Sequence, residues 1–241
     1  MAAPALSALG APGWAQAEAQ TQIQAQIQGQ VQATAAIVSD DRFRGRSISG
    51  GRPVVSLDLA YDSAGGAYFG LAGAVAATQH AGPEPLTLQE YAGYVMRLPA
   101  GPDLDLGATH ANYTEYYGGG RAAQYNEVYA GLIARHFAGR LYYSPSYFGQ
   151  GRSTLYGELE TAARPARGWR LSAHAGLLQV LSGERPPEIR PTQLDWRLGL
   201  ATAVRSVEVE LSWSGAAPDR DYYEGAPRSR SRIALGLSHT F

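Results

Sequence analysis

Polar and apolar residues alternate along about a dozen segments of this chain. A period of two is the repeat of a β-strand, because successive side chains of a strand leave opposite faces. The predicted strands cover residues 20–34, 54–62, 67–78, 86–98, 103–113, 125–135, 138–144, 153–163, 168–181, 193–204, 207–214 and 231–241. The pattern therefore predicts an all-β fold in which each strand separates two different environments.

The first of these segments reads TQIQAQIQGQVQATA and carries neutral amides between small or apolar residues. In a strand, one face would hold the side chains of Gln22, Gln24, Gln26, Gln28, Gln30 and Gln32. A Gln/Ala-rich linker has the same composition, but a linker does not require strict alternation. The segment is also longer than most strands of soluble domains and suits a tilted strand that crosses a bilayer.

The stretches between the segments alternate between long and short. SDDRFRGRSISGGRP is long and SAGG is short, and the alternation continues to the last segment. Such a meander is typical of outer-membrane barrels, whose short turns face the periplasm and whose long loops face the exterior. We therefore predict a transmembrane antiparallel up-and-down β-barrel of about 12 strands over residues 18–241, with both termini in the periplasm.

A soluble β-sandwich also alternates, with its apolar face inward. The barrel is favoured because the strands are long, the chain has no Lys, and aromatic residues lie near the predicted strand ends. The aromatic residues expected at the membrane interfaces are Tyr61, Tyr68, Tyr94, Tyr129, Tyr143, Trp169 and Trp213.

Composition excludes several classes of function. The 20 basic and 21 acidic residues give a net charge of −1, so there is no basic surplus for binding nucleic acid. There is no Cys for disulfides, thiolate catalysis or metal ligation, and the five His residues lack metal-ligand spacing. No run of about eighteen apolar residues predicts a transmembrane helix. We expect no metal ion and no cofactor.

Both ends of the chain resemble sorting or assembly signals. Residues 1–17 are small and weakly apolar and end in Ala-Gln-Ala, so we expect a partial signal peptide that lacks its basic region. In the last ten residues, RIALGLSHTF, one face carries Leu235, Leu237 and Phe241. We expect this strand to be recognised by the barrel assembly machinery, although an ordinary edge strand can also end in Phe.

Charged residues on the polar faces are expected to line an aqueous lumen, because an Arg facing lipid at the bilayer midplane costs about 2–4 kcal/mol. With the Gln residues, the predicted pore-lining set contains Asp58, Glu127, Glu158, Glu160, Arg170, His174, Arg197, Glu208, Glu210 and Arg232. A modest acidic excess on these faces predicts a weak cation preference. The alternative is that acids and Arg residues pair across the lumen and plug it. A turn at RPAR would place Glu158 opposite His174, and Glu160 diagonally across from Arg170.

The first long loop concentrates Arg42, Arg44 and Arg46. These residues are candidates for a constriction if the loop folds into the mouth, and they could also attract anionic solutes or lipopolysaccharide phosphates. A solvated loop with local ion pairs is the alternative. Ser172 and His174 share a face, but no third orienting group is evident, so we expect no enzymatic activity.

The stretches SDDRFRGRSISGGRPVVSLDLAYDSAGGAYFGLAGA, LYYSPSYFGQGRSTLYGELE and QLDWRLGLA resemble the TorF-type porin family of proteobacterial outer-membrane β-barrel proteins. The resemblance covers roughly residues 36–241. The first stretch matches the family pattern at Ser39, Asp40, Arg42, Phe43, Arg44, Gly45 and Ser47, while Asp41 stands where the family usually has an aromatic residue. The resemblance supports a Gram-negative outer-membrane location.

Together these features predict a porin-like channel for passive diffusion of small hydrophilic solutes or ions. The alternative is a non-conducting structural or adhesion barrel that acts through its extracellular loops. The expected partners are outer-membrane lipids and lipopolysaccharide, the barrel assembly machinery and small solutes.

Overall fold

Twelve long strands form one closed antiparallel barrel in the computed structural model, which describes residues 29–77, 82–99, 101–114, 123–149, 151–184, 190–217 and 231–241. The barrel strands are β1 (Gln30–Val38), β4 (Val54–Asp62), β5 (Ala67–Ala77), β6 (Pro83–Met96), β7 (Asp103–Tyr113), β8 (Ala123–Ile133), β9 (Phe137–Ser144), β10 (Ser153–Ala166), β11 (Trp169–Ser182), β12 (Thr192–Val204), β13 (Val207–Ala216) and β14 (Ser231–Thr240). Two short strands, β2 (Arg42–Phe43) and β3 (Arg46–Ser47), form a separate hairpin.

Each barrel strand pairs with its neighbour along the chain, and β1 also pairs with β14, from Thr34 opposite Thr240 to Val38 opposite Gly236. This pairing closes the sheet and confirms the predicted up-and-down barrel. Short connections, such as residues 167–168 and 205–206, alternate with longer ones, such as 39–53 and 145–152, except around β6, where the connection 78–82 is no longer than the connection 97–102. The connection between β5 and β6 is shorter than predicted because β6 begins at Pro83.

The first strand differs from its prediction in extent. Within the described residues, β1 continues to Val38, beyond the predicted end at residue 34, and the predicted positions 20–28 lie outside the described residues. Alternation continues through this end of the strand because Ile37 faces outward whereas Ala36 and Val38 are buried. The side chains of Ala36 and Val38 pack inside the barrel with Val54 and Leu86. The inner face is therefore apolar at this end of β1, although the alternating pattern predicted a polar inner face.

Large apolar side chains cover the outside of the barrel. On β4, Val55 and Leu57 are 50% and 47% exposed, while Ser56 between them is buried. The same arrangement recurs on β13, where Leu211 and Trp213 point outward and Ser212 points inward. This is the reverse of a soluble sandwich, and it suits a barrel whose outer face contacts hydrocarbon. None of the described helices has the length and apolar character needed to span a bilayer.

Candidate functional site

The connection between β1 and β4 folds into the barrel instead of away from it. At its tip, Arg44 and Gly45 have φ angles of 47° and 73°, the pair of positive values that a two-residue type I′ turn requires. A Cβ atom at Gly45 would overlap the carbonyl oxygen of Gly215 on β13, so the tip lies directly against the barrel wall. The hairpin β2–β3 therefore crosses the interior.

Asp40 holds the base of this hairpin. Its Oδ1 atom accepts hydrogen bonds from the hydroxyls of Ser47 at 2.5 Å and Ser49 at 3.2 Å, and from the backbone N–H of Gly51 at 3.0 Å. Its Oδ2 atom lies 3.0 Å from Nη1 of Arg42. Burial raises the pKa of the neighbouring Asp41 to about 7, and the charge of Asp40 adds to this rise. The loop therefore gains negative charge as the pH rises through neutrality.

Arg44 places its guanidinium between a carboxylate and several aromatic rings. Its Nη2 group donates to both oxygens of Glu127 on β8, at 2.9 and 2.7 Å. The guanidinium carbon lies 3.8 Å from the centroid of the Tyr156 ring, a distance at which a cation is attracted to the ring face. Burial alone would lower the pKa of Arg44, but the Glu127 carboxylate holds it well above its ordinary value. The guanidinium is therefore always charged in this setting.

The other two arginines of the predicted constriction also lie at the hairpin. Arg42 donates to Asp40 and to the carbonyl oxygen of Gly45, the latter at 2.5 Å. Arg46 donates from Nη2 to Oε1 of Gln193 on β12 at 2.8 Å. The structure thus places Arg42, Arg44 and Arg46 together inside the barrel. From the sequence alone, this loop could either fold into the mouth of the barrel or remain solvated.

Arg140 forms the centre of an ion network on the inner wall. Its Nε atom lies 3.0 Å from Oδ2 of Asp105, and its Nη1 atom lies 3.6 Å from Oε1 of Glu158. The hydroxyl of Tyr68 donates to Asp105 at 2.6 Å, and that of Tyr142 donates to Glu158 at 2.8 Å. The network joins strands β5, β7, β9 and β10 across the interior.

A second network lies on β11, β12 and β13. Arg170 pairs with Glu208 and approaches Oε2 of Glu210 at 3.7 Å, and Arg197 pairs with the same Glu210. These four side chains, all from the predicted pore-lining set, neutralise one another.

His174 lies between two carboxylates, but in a different register from the one predicted. Glu160 stands opposite His174, with 3.5 Å between Oε1 and Nδ1, and Glu158 stands opposite Gly176. The predicted pairing of Glu158 with His174 was wrong. The turn consists of residues 167–168, and the ladder is irregular between Ala163 and Ala166, where Pro165 has no N–H to donate.

On the other side of His174, the Nε2 atom lies 2.9 Å from Oδ1 of Asp195 and 3.1 Å from the hydroxyl of Tyr156. Donor atoms of Glu158, Glu160 and His174 lie within 4.8 Å of one another, so these are the described residues that could hold a metal ion. Arg140 and Tyr142 already contact Glu158, and the expectation of no metal stays a prediction.

Tyrosine rings fill much of the interior, and the position predicted from the sequence was wrong for two of them. Tyr68 and Tyr129 are 2% and 5% exposed and face inward, not toward a membrane interface. Each ring lies over an inward glycine of a neighbouring strand, Tyr68 over Gly93 and Tyr129 over Gly107. The missed aromatic residues of this cluster are Tyr91, Tyr113, Tyr125, Tyr142, Tyr147, Phe148 and Tyr156.

Substituting Gly107 tests this Tyr-over-Gly packing. A Cβ atom there would overlap the Tyr129 ring and lie 2.6 Å from the carbonyl oxygen of Ala92. We expect Gly107→Ala to lower the free energy of unfolding by about 1–3 kcal/mol, the usual range for overpacking. Urea unfolding of the reconstituted barrel, followed by tryptophan fluorescence, measures the loss. Gly73→Ala on β5 is the matched control because no atom lies within 4 Å of its added Cβ; equal losses in the two variants would contradict the packing.

Two cavities lie beside the hairpin among the described residues. One cavity of about 70 Å³ borders Arg44, Glu127, Tyr156 and Asp195. A second of about 30 Å³ lies on the other side of the hairpin, beside Arg46 and Gln193. These volumes hold a few water molecules each, since one water needs about 10–15 Å³ measured in this way.

Asp58 accepts a hydrogen bond from the Tyr91 hydroxyl at 3.2 Å, Gln30 is exposed at the start of β1, and the half-exposed Arg232 lies 3.9 Å from Asp40. The predicted assembly residues all face outward on or next to β14: Leu235, Leu237 and Phe241. Four predicted lumen residues lie outside the described residues: Gln22, Gln24, Gln26 and Gln28.

A closed twelve-stranded meander with an apolar exterior and an ionic interior defines a barrel of the outer-membrane porin fold. Solved structures with this fold include the NanC porin, with a TM-score of 0.58, 8% identity, and coverage of 88% of this chain and 99% of that one. The KdgM porin matches with a TM-score of 0.52 and 12% identity over 87% of this chain and 99% of that one. At these identities the likeness shows the fold alone.

The chain belongs to the family described as "Bacterial protein of unknown function (Gcw_chp)", whose model matches residues 23–238. No curated protein matches the sequence significantly. The family and the porin fold agree with the outer-membrane barrel that the resemblance implied, while the TorF-type label itself stays a prediction.

Proposed function

We propose that the protein is a passive diffusion channel of the outer membrane for small hydrophilic solutes or ions, with a bore set by the hairpin β2–β3. The observation that carries the proposal is the position of this hairpin inside a closed barrel. Among the described residues, β2 and β3 pair with each other and with no barrel strand. Side chains such as Arg44 and Arg46 connect the hairpin to the wall, so its position can change without breaking the barrel ladder.

The charges of the interior support a weak preference for cations. The fully buried acids are Asp40, Asp41, Asp105, Glu127, Glu160, Asp195 and Glu210, and the fully buried bases are Arg140, Arg152 and Arg170. The half-buried Arg42, Arg44, Arg46 and Arg197 cancel this excess, but the half-buried Asp58, Glu158 and Glu208 on the same inner wall restore a surplus of acids. A lumen with surplus carboxylates attracts cations and repels anions.

The proposal includes an orientation in the membrane. The short connections and both termini lie in the periplasm, and the longer connections face the exterior, where they contact lipopolysaccharide. The outward Leu235, Leu237 and Phe241 face is the part of β14 that the assembly machinery would recognise, and the protein has no enzymatic activity in this proposal.

A non-conducting structural barrel is the second candidate. The observation in its favour is the filled interior, where Arg140, Arg170 and Arg197 pair with acids and the larger cavity measures about 70 Å³. Such a protein would act through its exterior loops.

Planar-bilayer recordings distinguish the two candidates. We expect reproducible unitary current steps from the refolded wild-type protein, and several-fold larger steps from the triple variant Phe43→Ala/Arg44→Ala/Arg46→Ala, because trimming the hairpin widens the bore. The control is Arg164→Ala/Arg167→Ala, which removes two exposed arginines at a short turn. An absence of steps from all three proteins would overturn the channel and leave the structural barrel. A reversal potential in a KCl gradient that favours chloride would overturn the cation preference.

A further inference from the structure

We propose that the inner wall of the barrel contains a binding site for organic cations that carry a guanidinium or alkylammonium group, and that Arg44 occupies this site as a tethered substitute for a solute. The inference rests on the proposed channel function, which it extends by naming a class of permeating solute.

The anionic part of the site is Glu127, whose side chain is 2% exposed. Both of its carboxylate oxygens accept hydrogen bonds from the single Nη2 group of Arg44. The Nη1 group of Arg44 is buried without a hydrogen-bond partner among the described residues, so the loop arginine does not satisfy all of its own donors. A carboxylate held in this way binds any cation that has at least one N–H donor and can reach it.

The aromatic part of the site surrounds the same guanidinium. Its carbon lies 3.8 Å from the ring centroid of Tyr156, 5.3 Å from that of Tyr147 and 5.7 Å from that of Tyr142. Ring faces at such distances attract cations, and weakly hydrated organic cations gain most because they lose little on leaving water. Small inorganic cations hold their hydration shells more strongly and gain less from the rings.

Nearly all of this site belongs to the wall and not to the hairpin. Glu127 is on β8, Tyr142 on β9 and Tyr156 on β10, and Tyr147 is in the connection between β9 and β10. Phe43, at 4.8 Å from the guanidinium carbon, is the hairpin's own contribution to the rings around Arg44. The site therefore remains when the Arg44 side chain leaves, and the cavity of about 70 Å³ gives additional room beside Glu127 and Tyr156.

Two further carboxylates increase the preference of this wall for a positive charge. The hydroxyl of Tyr142 donates to Glu158, and the hydroxyl of Tyr156 donates to Asp195 at 3.2 Å. Both acids also have partners of their own, Arg140 for Glu158 and His174 for Asp195. Glu127 is thus the acid of this group whose basic partner comes from the hairpin and not from the barrel wall.

The binding site can be tested by removing the Arg44 guanidinium and adding a free organic cation, methylguanidinium. Asn tolerates the left-handed φ of position 44, so Arg44→Asn vacates the site while preserving the turn. We expect the refolded variant to bind methylguanidinium, measured by isothermal titration calorimetry in detergent, at least about tenfold more tightly than the wild type. N-methylurea, which has a similar shape and no charge, is expected not to bind.

Two control variants make the result specific. Adding Glu127→Gln to Arg44→Asn is expected to abolish the gain. The matched variant Arg46→Asn is expected to give no gain, because Arg46 donates to the neutral amide oxygen of Gln193 and does not contact Glu127 in the way that Arg44 does. Equal binding in the Arg44→Asn and Arg46→Asn proteins, or undiminished binding after Glu127→Gln, would overturn the site.

Wild-type currents test the solute class without any variant. In bilayers with opposing methylguanidinium and sodium chloride solutions, we expect a reversal potential that reports higher permeability for methylguanidinium, and lower permeability would overturn the inference. Conduction of KCl without methylguanidinium preference or binding would leave the channel standing and remove the site. Binding by Arg44→Asn without any unitary current from the wild type would leave the site and remove the channel.

Discussion

Arg140→Met is expected to lower the free energy of unfolding by about 3–5 kcal/mol, the usual loss when one partner of a buried ion pair is removed. The Arg140 side chain is 4% exposed and faces the fully buried Asp105 and the carboxylate of Glu158. Without the guanidinium, two carboxylates share a poorly hydrated space with no neutralising charge. Urea unfolding of the barrel in lipid vesicles, followed by tryptophan fluorescence and by the heat-modifiable shift on gels, measures the loss.

Two comparisons isolate the charge effect in this prediction. Arg167→Met removes an arginine from an exposed turn and is expected to change stability little. The double variant Arg140→Met/Asp105→Asn keeps an acceptor for the Tyr68 hydroxyl and is expected to recover part of the loss. If Arg140→Met and Arg167→Met proved equally stable, the interior would be well hydrated and the ion network would contribute nothing to stability.

Leu211→Arg is expected to lower the stability of the barrel in lipid bilayers by about 2–4 kcal/mol, because it places a cation against hydrocarbon near the middle of β13. Leu211 is 52% exposed on the outer face and stands between Leu200 and Leu235 of the neighbouring strands. The measurement is the urea midpoint in vesicles of defined thickness.

Val204→Arg is the matched control for the outer face. Val204 also points outward, but it lies at the end of β12 beside the short turn, where an arginine costs only about 0–1 kcal/mol because it reaches the polar interface. Similar losses at the two positions would show that the outer face does not lie in a hydrocarbon layer, and the membrane barrel would have to be abandoned.

The barrel could be predicted from the sequence because a period of two reports which residues share a face. Charged residues of the predicted pore lining, such as Glu127 and Arg170, are buried on the inner face of their strands, as their charge indicated. The same rule would have found most of the aromatic interior, since Tyr129 lies two residues from Glu127, and Tyr142 two residues from Arg140. Tyr129 was assigned to a membrane interface because residue type was given more weight than position within the strand.

The folding of the first long loop into the barrel could not be predicted from local pattern. The contact between Arg44 and Glu127 joins residues 83 positions apart, and no repeat or spacing in the sequence relates them. The predicted register of β10 and β11 was wrong for a local reason, since the turn consists of residues 167–168 and not of residues 164–167, and this moves the partner of Glu158 from His174 to Gly176. Alternation along a strand cannot reveal a register shift of two residues, because such a shift leaves every side chain on the same face.

The pairing of β1 with β14 has a consequence for biogenesis. Thr34 and Thr240 meet across this seam although 206 positions separate them, so closure requires contacts between the two ends of the described barrel and is expected to be a late, slow step of folding. Until the ten residues of β14 have paired with both neighbours, β1 and β13 each have an edge of unpaired backbone N–H and C=O groups. Such an edge can pair with strands from other polypeptides. A nascent copy that lacks this final strand would therefore be prone to aggregate.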